Sequence, residues 1–124
     1  MLIKITILFW LLLSLRTKRN NILPCGLIGY IGSEPFNVDK IKMLMILNLE
    51  RGTDSTGIWN QGKITKTINK CNDFLEKTPI VAEKIFIGHT RNKSIGCVTE
   101  SQAHPFQYGD VIGAHNGTIS NWTD

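Results

Sequence analysis

Short apolar runs separated by turn-forming residues predict a mixture of strands and helices from residue 25 onward. The run CGLIGYI at 25–31 has the length of a strand and ends at Gly32-Ser33, a turn signal. Asn37 can cap the helix that follows, which is expected to end near residues 50–52. Because apolar residues extend almost all round this helix, we expect it to be buried between two layers.

Further along the chain, strand signals outnumber helix signals. The predicted elements are strands at 56–59, 63–68, 85–87 and 111–114, with a turn at 60–62, and a helix over 72–84 that Pro79 interrupts. Strands and helices do not alternate with the regular rhythm of parallel βαβ units. The pattern therefore predicts an α+β fold in which sheets are layered with helices.

Residues 1–24 differ from the rest of the chain in charge and in hydropathy. This segment contains four basic and no acidic side chains, whereas residues 25–124 contain ten of each, so the first segment accounts for the whole net charge of +4. A phosphate-binding surface needs a basic excess in the folded part, and we therefore expect no nucleic-acid partner. The chain divides into a leader, residues 1–24, and one domain, residues 25–124.

The leader allows three interpretations. Its apolar run, 5–15, is shorter than the roughly 20 residues that span a bilayer, and no small-residue cleavage site follows it. It is a targeting or membrane-anchoring segment, a removable propeptide, or sequence upstream of the true start. Membrane association through residues 1–24 stays open.

Cysteine and histidine spacing predicts neither a metal site nor a disulfide framework. The three cysteines, Cys25, Cys71 and Cys97, are far apart and odd in number, and the three histidines lack helical i, i+4 spacing. We expect no metal and no cofactor. Cys71 and Cys97 are expected to be small buried residues.

Five motifs follow one another in a fixed order. They are CGLIGYIG at 25–32, LERGTDSTGIW at 49–59, IGHTR at 87–91, AHPF at 103–106 and HNGTISNW at 115–122. Each alone fits an ordinary turn or buried residue, but their order resembles the glutaminase domain of class II glutamine amidotransferases over essentially all of residues 25–122. The resemblance implies the N-terminal-nucleophile (Ntn) hydrolase fold, a four-layer αββα sandwich, here incomplete at its C-terminal end.

The resemblance also assigns roles to residues. It implies L-glutamine as the substrate and Cys25 as the nucleophile, with the α-amino group of Cys25 as the base. The side-chain amide of Asn116 and the backbone N–H of Gly117 would form the oxyanion hole, and Arg91 would bind the glutamine α-carboxylate. Further positions implied near the nucleophile or the substrate are Arg51, Gly52, Ser94 and His104. Asp54 and Ser55 are expected to fix their loop.

The chain departs from the family pattern in four places, one of which is Gln102, where the family commonly has asparagine before AHP. Residues 92–96 read NKSIG where the family usually has WATHG, so an aromatic wall and a histidine are missing. The family aspartate that binds the substrate amino group would lie beyond residue 124. Pro24 precedes Cys25, so the α-amino group is free only if the leader is removed.

Ammonia from the expected reaction would pass to a synthase or transferase partner, or to a missing C-terminal segment. One alternative is a catalytically inactive or truncated relative with a membrane-associated leader. A second is the asparagine-synthetase branch, although Thr53 stands where that branch has proline.

A cytoplasmic location is expected from the role of Asn116. This residue lies in one of three N-x-S/T sequons, at Asn92, Asn116 and Asn121. A buried catalytic role for Asn116 is incompatible with a glycan on its side chain.

Overall fold

The computed structural model describes residues 25–68, 70–93 and 98–117. The leader, Ser94 and Cys97 lie outside these ranges. The elements in chain order are β1 (Gly26–Ile31), α1 (Val38–Leu47), a 3₁₀ turn (Asn48–Glu50), β2 (Ser55–Asn60), β3 (Lys63–Thr67), α2 (Cys71–Lys77), β4 (Ile85–Arg91), a second 3₁₀ turn (Glu100–Gln102), β5 (Phe106–Tyr108) and β6 (Val111–Gly113). This mixture of helices and antiparallel strands confirms the α+β class. The four-layer sandwich stays a prediction.

The main sheet has the strand order β1-β4-β2-β3, and all its pairs are antiparallel. β4 lies between β1 and β2, so His89 has Leu27 opposite it on one side and Gly57 on the other. The predicted turn between β2 and β3 is confirmed, since Gln61 and Gly62 have φ of 52° and 70°. Two consecutive positive φ angles belong to the tight turn that favours a hairpin.

Helix α1 begins where the sequence predicts. The side chain of Asn37 accepts a hydrogen bond from the Lys40 N–H at 2.9 Å and so caps the first turn. Ile41 and Met45 are buried against the sheet, whereas the exposed side of the helix has four large apolar side chains: Met43, Leu44, Ile46 and Leu47. The prediction that α1 is buried between layers is therefore wrong for the described part of the chain, where it packs on one side only.

The predicted helix over 72–84 is confirmed only in its first half. Helix α2 ends at Lys77, and the chain after Pro79 is not helical. The Asn60 side chain donates to the Val81 carbonyl and accepts from the Val81 N–H, both at 2.9 Å. Because this amide pairs with both backbone groups of Val81, it holds the chain in place there without helical hydrogen bonds.

The two faces of the main sheet have different surroundings. The helix face, which α1 and α2 cover, contributes Ile28, Ile58 and Phe86 to the hydrophobic core. A Cβ added at Gly88 on this face would meet Met45, whereas one added at Gly57 on the opposite face would meet the His104 carbonyl. We call that opposite side the open face.

A segment that the sequence predicts as loop lies against the open face. Residues 103–106 contact it, and β5 pairs with β6 in a small separate hairpin. The Lys66 ammonium group on β3 donates to the Ala103 carbonyl at 2.9 Å and lies 4.9 Å from the centre of the Phe106 ring. This amine anchors the hairpin to the sheet.

Candidate active site

Cys25 lies at the start of β1, next to the end of β4, because Gly26 is paired with Thr90. Its half-buried thiol meets both backbone groups of Asn92. The Asn92 N–H donates to Cys25 Sγ at 3.3 Å, and the thiol donates to the Asn92 carbonyl at 3.4 Å. The antiparallel register thus brings together two residues that are 67 positions apart in sequence.

Asn116, which lies near the other end of the domain in sequence, contacts Cys25. Its side-chain nitrogen donates to the Cys25 carbonyl oxygen at 2.6 Å across 91 positions of sequence. Gly117 follows directly, with its Cα beside the His115 ring. The side chain of Asn116 is exposed, so the prediction of a buried position is wrong for the described structure.

Arg51 and Gly52 connect α1 to β2 beside β4. Both backbone N–H groups donate to the Asn48 carbonyl, at 2.9 Å for Arg51 and 3.2 Å for Gly52. A Cβ added at Gly52 would lie 2.5 Å from the Arg91 carbonyl carbon and 2.7 Å from its oxygen. Only glycine allows this close approach, whereas the Arg51 side chain is exposed.

Arg91 is the last residue of β4 and lies opposite Ser55 in the register. Its side chain is half-buried. Arg91 and Cys25 therefore flank the same end of the sheet.

Asp54 holds the loop after β4, whereas the sequence predicts that it fixes its own loop before β2. Its backbone N–H donates to the Arg91 carbonyl at 2.9 Å, and its carboxylate accepts from the Lys93 N–H at 2.7 Å. The two bonds lie on either side of Asn92, the residue that contacts the thiol.

The three histidines of the chain converge beside this site. His104 Nδ1 accepts a hydrogen bond from the His115 N–H at 3.2 Å. The His104 ring lies 4.3 Å from the His89 ring and 4.4 Å from the Phe106 ring, measured between centroids. His104 therefore joins the 115–117 loop to β4.

Burial keeps two of these imidazoles neutral. His89 is 1% exposed, and neither of its ring nitrogens has a hydrogen-bond partner within the described ranges. Burial, with the neighbouring His104 second, lowers the pKa of His89 to about 3. Burial and then the charge of Arg91 lower the pKa of His104 to about 4.

Some residues of this region are not predicted by sequence reasoning. Neither His89 nor Lys66 is among the expected site residues, and the only signal for His89 is its place inside the IGHTR motif. The predicted Ser94 lies outside the described residues. In the ranges that are described, no group of three or more ligating side chains is arranged to hold a metal ion.

No helix within those same ranges has the length and apolar character needed to cross a membrane. The apolar run of the leader lies outside the residues concerned.

Curated relatives match most of this chain but only a small part of their own length. The glutamine–fructose-6-phosphate aminotransferase (isomerizing) of Streptococcus pyogenes serotype M3 is 39% identical over 106 residues, which cover 79% of this chain and 17% of that protein. The protein of the same name in Lactococcus lactis is 38% identical over 109 residues, 81% of this chain and 18% of its own. The protein of the same name in Halobacterium salinarum is 36% identical over 104 residues, which cover 79% of this chain and 17% of that protein.

The other two comparisons found nothing: no protein-family model and no solved structure matches. The chain spans about a sixth of the length of the curated relatives. All of the most similar ones bear the same name, and their identity to this chain extends over about four fifths of it. The chain therefore belongs to the class II glutamine amidotransferase family, as its five ordered motifs indicate.

Proposed function

We propose that this domain hydrolyses L-glutamine to glutamate and ammonia, with the Cys25 thiol as nucleophile. The observation that supports the proposal is the convergence of Asn92 and Asn116 on Cys25, through bonds to its sulfur and to its carbonyl oxygen. Across 67 positions of sequence, Asn92, which directly follows the IGHTR motif, contacts the half-buried thiol, and across 91 positions Asn116 of the HNG motif contacts the Cys25 carbonyl. A cysteine with only a packing role needs no such arrangement.

The reaction would proceed in two steps. The Cys25 α-amino group takes the thiol proton, and the sulfur attacks the amide carbon of glutamine. Collapse of the tetrahedral intermediate breaks the C–N bond, and the leaving nitrogen receives the proton as ammonia. Water then attacks the γ-glutamyl thioester, which releases glutamate and restores the thiol.

Asn116 would stabilise the oxyanion in both steps. Its amide nitrogen has two N–H groups, of which one donates to the Cys25 carbonyl. The second N–H and the Gly117 N–H are the donors proposed for the oxyanion, each worth about 3 kcal/mol of barrier. The bond to Cys25 holds the amide beside the nucleophile before substrate arrives.

The remaining predicted residues would bind the substrate. Arg91 would pair with the α-carboxylate through its guanidinium fork. Gly52 lets the 51–52 loop approach Arg91, and His104 would present a neutral ring beside the site. Arg51 and Ser94 complete the proposed set.

The four-layer sandwich and an ammonia-accepting partner belong to the same proposal. The relatives are named for transfer to fructose 6-phosphate. We therefore propose that the ammonia passes to a sugar phosphate. This acceptor would be bound by a synthase domain, on this protein or on a partner chain.

Purified mature protein, whose first residue is Cys25, should release ammonia from glutamine. Cys25→Ala is expected to lower this activity by more than about 10³-fold, because the thioester cannot form. Cys71→Ala is the matched control, since Cys71 is fully buried on the helix face and burial raises the pKa of its thiol to about 11. The Cys71→Ala variant should stay folded, as judged by circular dichroism, and should keep its activity. Turnover that survives in the Cys25→Ala variant would rule the mechanism out.

The mechanism also requires a mature chain that begins at Cys25. We expect N-terminal mass spectrometry of active protein to find Cys25 as the first residue. Protein that releases ammonia with only Met1 at its N-terminus would contradict the α-amino base. Inactive protein with only Met1 would support the alternative of an inactive relative.

A further inference from the structure

We propose that Asp54 is a positioning residue for the Cys25 thiol and acts through the backbone of Asn92. The effect on catalysis rests on the proposed function, but the effect on the thiol does not. Asp54 makes no contact with the sulfur. Instead, Asp54 holds the two peptide groups on either side of Asn92, and these peptide groups contact the sulfur.

Each of these peptide groups is fixed at one end by Asp54 and contacts the thiol at the other. In the peptide between Arg91 and Asn92, the Arg91 carbonyl accepts from the Asp54 N–H, and the Asn92 N–H donates to Cys25 Sγ. In the peptide between Asn92 and Lys93, the Lys93 N–H donates to the Asp54 carboxylate, and the Asn92 carbonyl accepts from the thiol.

The side chain of Asp54 controls the second of these peptides. Its bond to the Lys93 N–H is 2.7 Å long, and it is charge-assisted, so it is stronger than a neutral hydrogen bond. A peptide unit is planar and rigid. Fixing its N–H therefore fixes the direction of the Asn92 carbonyl, which in turn fixes the thiol.

The bond from Asn116 does not position the thiol. Cys25 is half-buried, and the Asn116 bond reaches its carbonyl oxygen and not its sulfur. Lys93 is exposed. Without the carboxylate, the 92–93 peptide loses its bond to Asp54, and we expect the Cys25 thiol to become more accessible.

The test is the alkylation rate of Cys25 by iodoacetamide at one fixed pH, resolved by peptide mass spectrometry on the full chain. Asp54→Ala is expected to raise this rate about 10-fold, the effect of losing one hydrogen bond to a charged group. Asp54→Asn keeps an oxygen acceptor for the Lys93 N–H, and its rate should stay within about 2-fold of wild type. Asp73→Ala removes an exposed carboxylate on α2 and should change nothing.

An unchanged rate in Asp54→Ala, or a rate in Asp54→Asn equal to that of Asp54→Ala, overturns the proposal. If Asp54→Ala fails to fold, Asp54→Glu replaces it, since the extra methylene displaces the acceptor while the charge stays. A glutaminase assay adds a second readout: Asp54→Ala should lower kcat with little change in KM. Alkylation needs neither glutamine nor a free α-amino group, so it tests Asp54 even if the glutaminase proposal fails.

Discussion

The two faces of the main sheet share their strands but have opposite surroundings. On the helix face, α1 and α2 cover side chains such as Phe86, which is fully buried. On the open face, Leu27 and Ile85 are 46% and 45% exposed. That face also contains two buried polar side chains, Ser55 and His89, whose side-chain polar atoms have no hydrogen-bond partner within the part of the chain that the structure describes.

Because of this difference, we expect the helix face to contribute mainly to stability and the site at the end of the sheet to contribute mainly to activity. Burial of apolar area on the helix face stabilises the fold by about 25 cal/mol per Å². A buried polar group that lacks a hydrogen-bond partner instead costs about 1–3 kcal/mol. The same strands end in the loops around Cys25. We therefore expect substitutions on the helix face to change stability and those at the site to change activity.

Two isoleucines test the contrast with the same substitution. Ile58 is 1% exposed on the helix face, whereas Ile85 is 45% exposed on the open face. Ile58→Ala should lower the free energy of unfolding by about 2–5 kcal/mol, because it leaves a cavity in a closed core. Ile85→Ala should cost less than about 1 kcal/mol. Urea unfolding of both variants measures this, and equal losses would remove the distinction between the faces.

Asn116 tests the opposite case, a large effect on activity with a small one on stability. Asn116→Ala should lower kcat about 10²–10³-fold, since an oxyanion donor is lost. Its side chain is exposed, so the free energy of unfolding should change by less than about 1 kcal/mol. Asn72→Ala, at an exposed position of α2, is the control. Full activity in Asn116→Ala would exclude the predicted oxyanion role.

The open face should make the domain sensitive to acid. The folded pKa values of His89 and His104, about 3 and 4, lie below the ordinary value of 6.5, so the unfolded chain binds more protons between these limits. The stabilisation is complete above pH 6.5 and is lost as pH falls toward 4. The basic side chains of Arg91, His115 and Lys66 face His104, and Glu100 is the acid near Lys66.

Urea midpoints measured across this pH range check the prediction. His104→Asn offers an acceptor to the His115 N–H without titrating, so its midpoint should fall less steeply with acid than that of wild type. Parallel curves for the two proteins would show that His104 does not contribute.

The buried thiol of Cys71 on the helix face should make the stability of the domain fall at alkaline pH. Burial raises the pKa of the Cys71 thiol from 9.0 to about 11, so the folded state keeps a proton that the unfolded state loses. Stability is complete below pH 9.0 and falls as pH rises toward 11. Cys71→Ala should flatten this alkaline decline in urea midpoints, and an unchanged decline would contradict the assignment.

Much of the fold could be predicted from local pattern. The strand at the CGLIGYI run, the helix capped by Asn37 and the hairpin around Gln61-Gly62 each depend on neighbouring residues, and the structure confirms them. The helix expected after Pro79 is wrong because a distant side chain, Asn60, takes the backbone bonds of Val81. Local propensity contains no information about such a partner.

Some features of the site could likewise be predicted from the sequence, whereas others depend on contacts between distant residues. The family resemblance predicts Cys25, Arg91 and Asn116 as site residues, and in the structure the Asn116 side chain contacts Cys25. The bond from the Lys93 N–H to Asp54 depends on the register between β2 and β4 and on the loop that follows. The contact between His89 and His104 depends on how residues 103–106 lie on the sheet. Neither arrangement leaves a periodic signal in sequence.

The central claim, that Cys25 is the nucleophile, is tested most directly by trapping the acyl intermediate. Mature protein that begins at Cys25 would be quenched in acid while it turns over glutamine, then digested and examined by mass spectrometry. We predict a γ-glutamyl thioester on the peptide that contains Cys25 and none in Cys25→Ala. Ammonia release with no adduct on Cys25, or with the adduct on Cys71 or Cys97, would contradict the claim.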